Sequence, residues 1–109
     1  MTWKKLNIGD PVIYSWNDFD GSGSIPALIT EKVGDHAIAT ADGMHLWIDQ
    51  DTQKMFKKSS FCEISEMILN EYFAPWDIEL EYIGEVSAMI REKGISAVCD
   101  DIRNYLNEE

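Results

Sequence analysis

Two histidines, His36 and His45, and two cysteines, Cys62 and Cys99, are the side chains best suited to hold a metal or to work as base and nucleophile. Zinc sites draw on closely spaced Cys/His pairs, and no such spacing occurs here. Both histidines stand beside hairpin turns, where an imidazole is ordinarily a surface group. The cysteines are too few for a secreted disulfide framework. Each falls on the apolar side of a predicted helix, so they read as reduced, buried, small hydrophobes. No serine stands in a nucleophile-elbow context. Carboxylates are plentiful, 20 among 109 residues, but a catalytic dyad also needs a pocket that drives two pKa values apart. The expectation is a non-enzymatic protein with no catalytic residue, no cofactor and no metal.

One segment comes closer to ligand chemistry. Asp18-Phe19-Asp20-Gly21-Ser22-Gly23-Ser24-Ile25 resembles the first two-thirds of an EF-hand calcium loop. Asp18, Asp20 and Ser22 supply oxygens at the first, third and fifth positions, glycine follows at the sixth and an apolar residue at the eighth. The loop then fails: Pro26 is ninth, and Ile29 stands where the bidentate glutamate belongs. A cation there would be under-coordinated, and the segment reads instead as a flexible Gly/Ser-rich loop whose aspartates cap turns. Its glycines lack the lysine and following helix of a phosphate cradle.

The elements that position these residues follow from pattern and punctuation. Residues 10–16, 25–30, 36–40 and 44–48 read as strands, with Met55-Phe56 as a short fifth. Gly34-Asp35 and Asp42-Gly43 supply the turns. Val12, Tyr14 and Trp16 point to one face and Ile13 to the other, while Leu46 and Ile48 oppose Trp47. Both faces must therefore be covered, and the helical half is the expected cover.

That half begins near residue 58. Ser60-Phe61-Cys62-Glu63 has the capping-box pattern and opens a helix that stops before Pro75. Phe61, Ile64, Ile68, Leu69, Tyr72 and Phe73 form its broad apolar face, leaving Glu63, Glu66 and Asn70 wet. A second helix is expected from an Asp77 cap to Lys93, with Gly94 as its stop. Its apolar face is Leu80, Tyr82, Ile83, Val86, Met89 and Ile90; Glu81, Glu85 and Glu92 cluster within about 40° on the other side. A third, after Ser96, buries Val98, Cys99, Ile102, Tyr105 and Leu106, and its end, Glu108 and Glu109, opposes the helix dipole and should fray. The fold class is α+β: a small antiparallel SH3-like β-barrel or curled sheet with a three-helix segment packed on it. Residues 1–109 form a single domain, 1–58 β-rich and 59–109 helical and acidic, since so short a chain must bury its apolar surface in one place.

Gly9-Asp10-Pro11-Val12, a long first loop and short strands joined by tight turns resemble the opening of an SH3-like small barrel of the Tudor or KOW kind, over residues 8–57. Such barrels bind peptides, methylated side chains or nucleic acid, often through aromatic residues. The resemblance implies an alternative function as a recognition module, with Tyr14, Trp16, Phe19 and Trp47 as the available aromatics.

Charge gives the main functional expectation. The net charge is −11. From residue 61 onward there are 12 acidic and 3 basic side chains; residues 1–60 carry 8 and 6. The acidity argues against direct contact with nucleic acid, and the exposed face of the third helix, with Asp100 and Asp101 beside Arg103, argues against a DNA-reading helix-turn-helix over 87–106. No apolar run approaches the ~20 residues that span a bilayer. Met1-Thr2-Trp3-Lys4-Lys5-Leu6 lacks an apolar signal region, so a cytoplasmic protein is expected. Rows of carboxylates on rigid helices can imitate phosphate spacing or steer a basic protein into contact. In size and charge the chain is similar to small acidic phage anti-defence inhibitors, including anti-CRISPR proteins and DNA mimics, and to immunity proteins. The expected partner is a basic protein, such as a nucleic-acid-handling enzyme or a toxin. Glu63, Glu66, Glu81, Glu85, Glu92, Asp100 and Asp101 would meet it, with Trp76 as an aromatic anchor.

Overall fold

A computed structural model describes residues 2–108; Met1 and Glu109, which carried part of the expectations for the two termini, lie outside the described residues. The chain forms five strands and then three helices: β1 Pro11–Asp18, β2 Gly21–Val33, β3 His36–Ala41, β4 Met44–Ile48, β5 Phe56–Lys58, α1 Phe61–Tyr72, α2 Leu80–Lys93 and α3 Ile95–Asn107. The strands make one antiparallel sheet in the order β4-β3-β2-β1-β5. It is curled and open, with β4 and β5 as its edges. The α+β class is as the sequence indicates, and of barrel and curled sheet it is the open form.

The two-residue periodicity of the strands divides the apolar residues between two cores. Val12, Ala27, Ile29, Ala37, Ala39 and Ile48 pack on the inner face of the curl, with Tyr14, Ile25 and Leu46 at its margin. Ile13 and Leu28 point outward into the helical core of Ile64, Ile68, Leu69, Ile83, Val86, Ile90, Val98 and Cys99. Here the sequence expectation needs correction. The helices cover only the outer face; the inner face is closed by the curl itself, by Phe56 and by Trp3 and Leu6 of the N-terminal segment. Four residues of this inner core, at 27, 37, 39 and 41, are alanines, small enough for the sheet to pack closely on itself and on Trp3, Leu6 and Phe56.

A second correction concerns the Gly/Ser-rich segment. It is neither a flexible loop nor a long one: β1 and β2 continue through it, pairing Ser15 with Ser24, Trp16 with Gly23, Asn17 with Ser22 and Asp18 with Gly21. Only Phe19 and Asp20 remain as the turn, and Asp18 accepts from the Asp20 amide at 2.9 Å. Trp16 lies over Gly23 so closely that a Cβ there would be 2.5 Å from its ring. The glycine is thus a seat for the indole.

The helix boundaries obey their caps. Ser60 accepts from the Glu63 amide at 3.1 Å, one half of the capping box. The Glu63 side chain turns instead to Lys57, 3.2 Å away. α2 starts later than expected, with Glu79 rather than Asp77 as its cap, because Pro75–Asp77 winds into a separate 3-10 turn. α3 starts two residues earlier, immediately after Gly94, whose φ of 87° makes the corner. The helices cross on small residues: Ser65 and Ser87, both buried, stand 2.8 Å apart; Ser65 also reaches the Phe61 carbonyl of its own helix, and Ser87 reaches the Ile83 carbonyl of its own helix and, across the crossing, that of Phe61.

Candidate functional site

The acidic residues singled out by sequence sort into two groups. Glu63 is paired with Lys57, Asp100 with Arg103, and Asp101 with Lys93. Lys57 holds the Glu63 carboxyl below its usual range. These three carboxylates are partly neutralised inside the molecule and brace it. Glu66, Glu81, Glu85 and Glu92 are exposed and make no ion pair among the described residues.

The free group lies in a stretch with an unusual bias. Residues 59–90 contain seven carboxylates, Glu63, Glu66, Glu71, Asp77, Glu79, Glu81 and Glu85, and neither lysine nor arginine. The first cation beyond it, Arg91, is engaged over the Phe61 ring at 4.4 Å. Within this stretch Trp76 and Leu80 are each 85% exposed. Beside them a shallow hollow between α1 and the start of α2 is lined by Glu66, Asn70, Pro75, Ile78 and Ile83. Glu66 is thereby brought to the same end of the helical layer as Trp76 and Leu80, while Glu81, Glu85 and Glu92 line the solvent side of α2.

Leu80 and Tyr82 are corrections to the expected core, Leu80 85% and Tyr82 46% exposed. Tyr105 of α3 is likewise out at 58%. Helical periodicity gave Leu80 the right direction, but it sits in the first turn, where no element packs over it. Pro75, which delays the helix, was the signal that could have revealed this. Cys62 is a further correction, being exposed while Cys99 is buried. Burial pushes the Cys99 thiol up to about 11.

The four aromatics of the alternative site do not converge. Tyr14 and Trp16 stack on each other at 5.8 Å on the inner side of β1. Phe19 is fully exposed at the tip of the β1-β2 hairpin. Trp47 lies on the opposite face of the sheet, stacked on His36 at 3.5 Å and donating to Asp49 at 2.9 Å. His36 also bonds Asp35 at 2.8 Å, and His45 bonds Thr40 at 3.1 Å. The calcium-loop residues are dispersed as well, since Asp18 and Ser22 belong to paired strands and Asp18 is committed to its own turn. Among the described residues no three His, Cys, Asp or Glu side chains are grouped as a metal site.

A second charged cluster is structural. Arg103 reaches Asp42 through both terminal nitrogens, at 2.7 and 3.3 Å, and donates to Tyr72 Oη at 2.9 Å and to Asp100. The guanidinium holds the Asp42 carboxyl below its usual range, while burial raises the Tyr72 phenol. Among the described residues no helix is long and apolar enough to cross a membrane. No family model, no curated protein and no solved structure matches the chain.

Proposed function

We propose that the chain is a non-enzymatic acidic binding protein that docks on, and inhibits, a basic partner protein. The partner chemistry is that of a nucleic-acid-handling enzyme or a toxin, the class met by anti-defence, DNA-mimic and immunity proteins. One observation carries the reading. Two large apolar side chains, Trp76 and Leu80, stand exposed within a 32-residue stretch, 59–90, that has no basic residue. Exposed aromatic anchors and a surrounding field of one sign are what interfaces use for affinity and for fast encounter. Internal ion pairs remove Glu63, Asp100 and Asp101 from the first rank of contacts, so Glu66, Glu81, Glu85 and Glu92 are the charges that remain for a partner.

The test is capture from the native host or its target cell, followed by binding and activity measurements on the isolated partner. Reversal of Glu66, Glu81, Glu85 and Glu92 to lysine should weaken binding by more than tenfold and flatten its salt dependence. Trp76→Ala should weaken it without changing the salt slope. Binding that survives both sets of changes unaltered would sink the electrostatic reading.

A further inference from the structure

The connection between α1 and α2 leaves a gap in the helical layer. Phe73 closes α1, and Pro75–Asp77 winds into its own turn before Leu80 opens α2. The gap is the shallow hollow of about 210 Å³, lined by Glu66 and Asn70 on the α1 side and by Pro75, Ile78 and Ile83 on the other. Small-molecule pockets run to roughly 300–1,000 Å³, so this one suits a single long side chain.

Its polar wall is unsatisfied within the molecule. Glu63, Ser65 and Tyr72 of α1 find partners in the chain. Among the described residues Glu66 and Asn70 find none, and both are exposed. Being four residues apart, they stand one turn apart on the same face of the helix. They offer a carboxylate and an amide oxygen, two acceptors beside an apolar lining. The chain brings no cation of its own: residues 59–90 contain neither lysine nor arginine, and Arg91 lies over the Phe61 ring at 4.4 Å. We propose that this hollow is a socket for one arginine side chain of the basic partner, an assignment that rests on the binding reading above and names the group by which that partner is read.

Arginine suits the lining better than lysine does. Its methylene stem can lie on Pro75, Ile78 and Ile83 while the charged head stays at the polar wall. The planar guanidinium presents five N–H donors, enough to meet Glu66 and Asn70 together, and it is more weakly hydrated than an ammonium, so an apolar surround costs it less. Trp76, in the same turn as Pro75 and 85% exposed, extends the apolar contact beyond the socket. Glu81, Glu85 and Glu92 do not line the hollow. They attract a cation without selecting one.

The probe is N-acetyl-arginine methylamide, titrated to about 20 mM into the full chain and followed by amide NMR shifts. Saturable shifts are expected at Glu66, Asn70, Ile78 and Ile83, with a Kd of a few millimolar, on the order expected for one exposed side-chain contact. The matching lysine derivative should bind about threefold or more weakly, and the neutral citrulline derivative should not bind. Glu66→Gln should weaken the arginine probe about fivefold or more, and Asn70→Leu should weaken it while raising the response to citrulline no further. Glu92→Gln, the same loss of charge on α2, should leave the affinity unchanged. All three positions are exposed, and circular dichroism checks that each variant is folded. Shifts that fail to saturate, that fall equally on Glu81, Glu85 and Glu92, that survive Glu66→Gln, or that are matched by lysine overturn the socket. That failure is separate from failure of the docking reading, which is decided on the isolated partner by reversal of all four glutamates.

Discussion

Arg103 of α3 holds Asp42 at the β3-β4 turn by a two-pronged ion pair spanning 61 residues of sequence. Tyr72 at the end of α1 donates no bond to this pair but accepts one from Arg103, so a single guanidinium joins two helices to the sheet. Paired forks of this kind depend on the planar geometry of arginine. Arg103→Ala should therefore lower the urea midpoint of unfolding, the partial exposure of both groups keeping the loss modest. Arg103→Lys should recover only part of that in urea unfolding, because an ammonium cannot engage Asp42 twice while reaching Tyr72.

The same pair sets the response to acid. Asp42 has a folded pKa below its unfolded value, so its contribution to stability is fully present above the unfolded value, about 3.9. It is lost as pH falls through the folded value. Glu63, depressed by Lys57, acts in the same direction. Thermal unfolding should show little change from pH 7 to 5 and a steep loss below about pH 4. Asp42→Asn should lower stability at neutral pH and flatten the acid limb.

The Trp16 and Gly23 contact makes the β1-β2 hairpin sensitive to one methyl group. Gly23→Ala places a carbon 2.5 Å from the indole, which must shift from its stack on Tyr14. The ring is partly exposed and can move, so the cost should be about 1 kcal/mol, at the low end of overpacking. Tryptophan fluorescence should report the displacement, while Gly34→Ala, with open space around its Cβ, should leave it unchanged.

Much of this architecture was legible in the chain. Strand alternation placed Val12, Tyr14 and Leu46 on one face and Ile13 on the other, and the Ser60 cap and the Gly94 stop fixed α1 and the α2-α3 corner. What escaped was tertiary. Periodicity says which way Leu80 and Tyr105 point, but not that the layer ends before covering them. Glycine and serine in residues 21–24 suggested a loop because their turn propensity is local, whereas Trp16 seated on Gly23 and the Ser15 to Ser24 hydroxyl bond at 2.9 Å hold them as strand. The charge surface was legible in sum and not in pairing: Lys57, Lys93 and Arg103 are distant in sequence or ambiguous in direction from the acids they meet.

Buried serines at the α1-α2 crossing give a further test of close packing. Ser65 and Ser87 each donate or accept at the contact, and each also reaches a carbonyl of its own helix. Either alanine substitution leaves the other hydroxyl a local partner, so the single changes should each cost only about 0.5–1 kcal/mol. Ser65→Leu instead forces the helices apart and should cost about 1–3 kcal/mol. Chemical denaturation of the three variants separates lost bonding from lost proximity.

The two cysteines should differ sharply in reactivity, and the difference measures the helical core directly. Cys62 is on the solvent side of α1's first turn, while Cys99 is 1% exposed, with its thiol raised to about 11. Thiolate is the reactive form, so both access and ionisation protect Cys99 at neutral pH. A thiol-specific reagent should modify one cysteine promptly in the native protein and the second only as fast as the core opens. Cys62→Ser should leave just the slow phase, and its rate across denaturant should converge on that of global unfolding. Because Cys99 packs with Val98, Ile90 and Ile68 on the outer side of the sheet, rapid labelling without denaturant would mean that the helical layer opens independently of the strands.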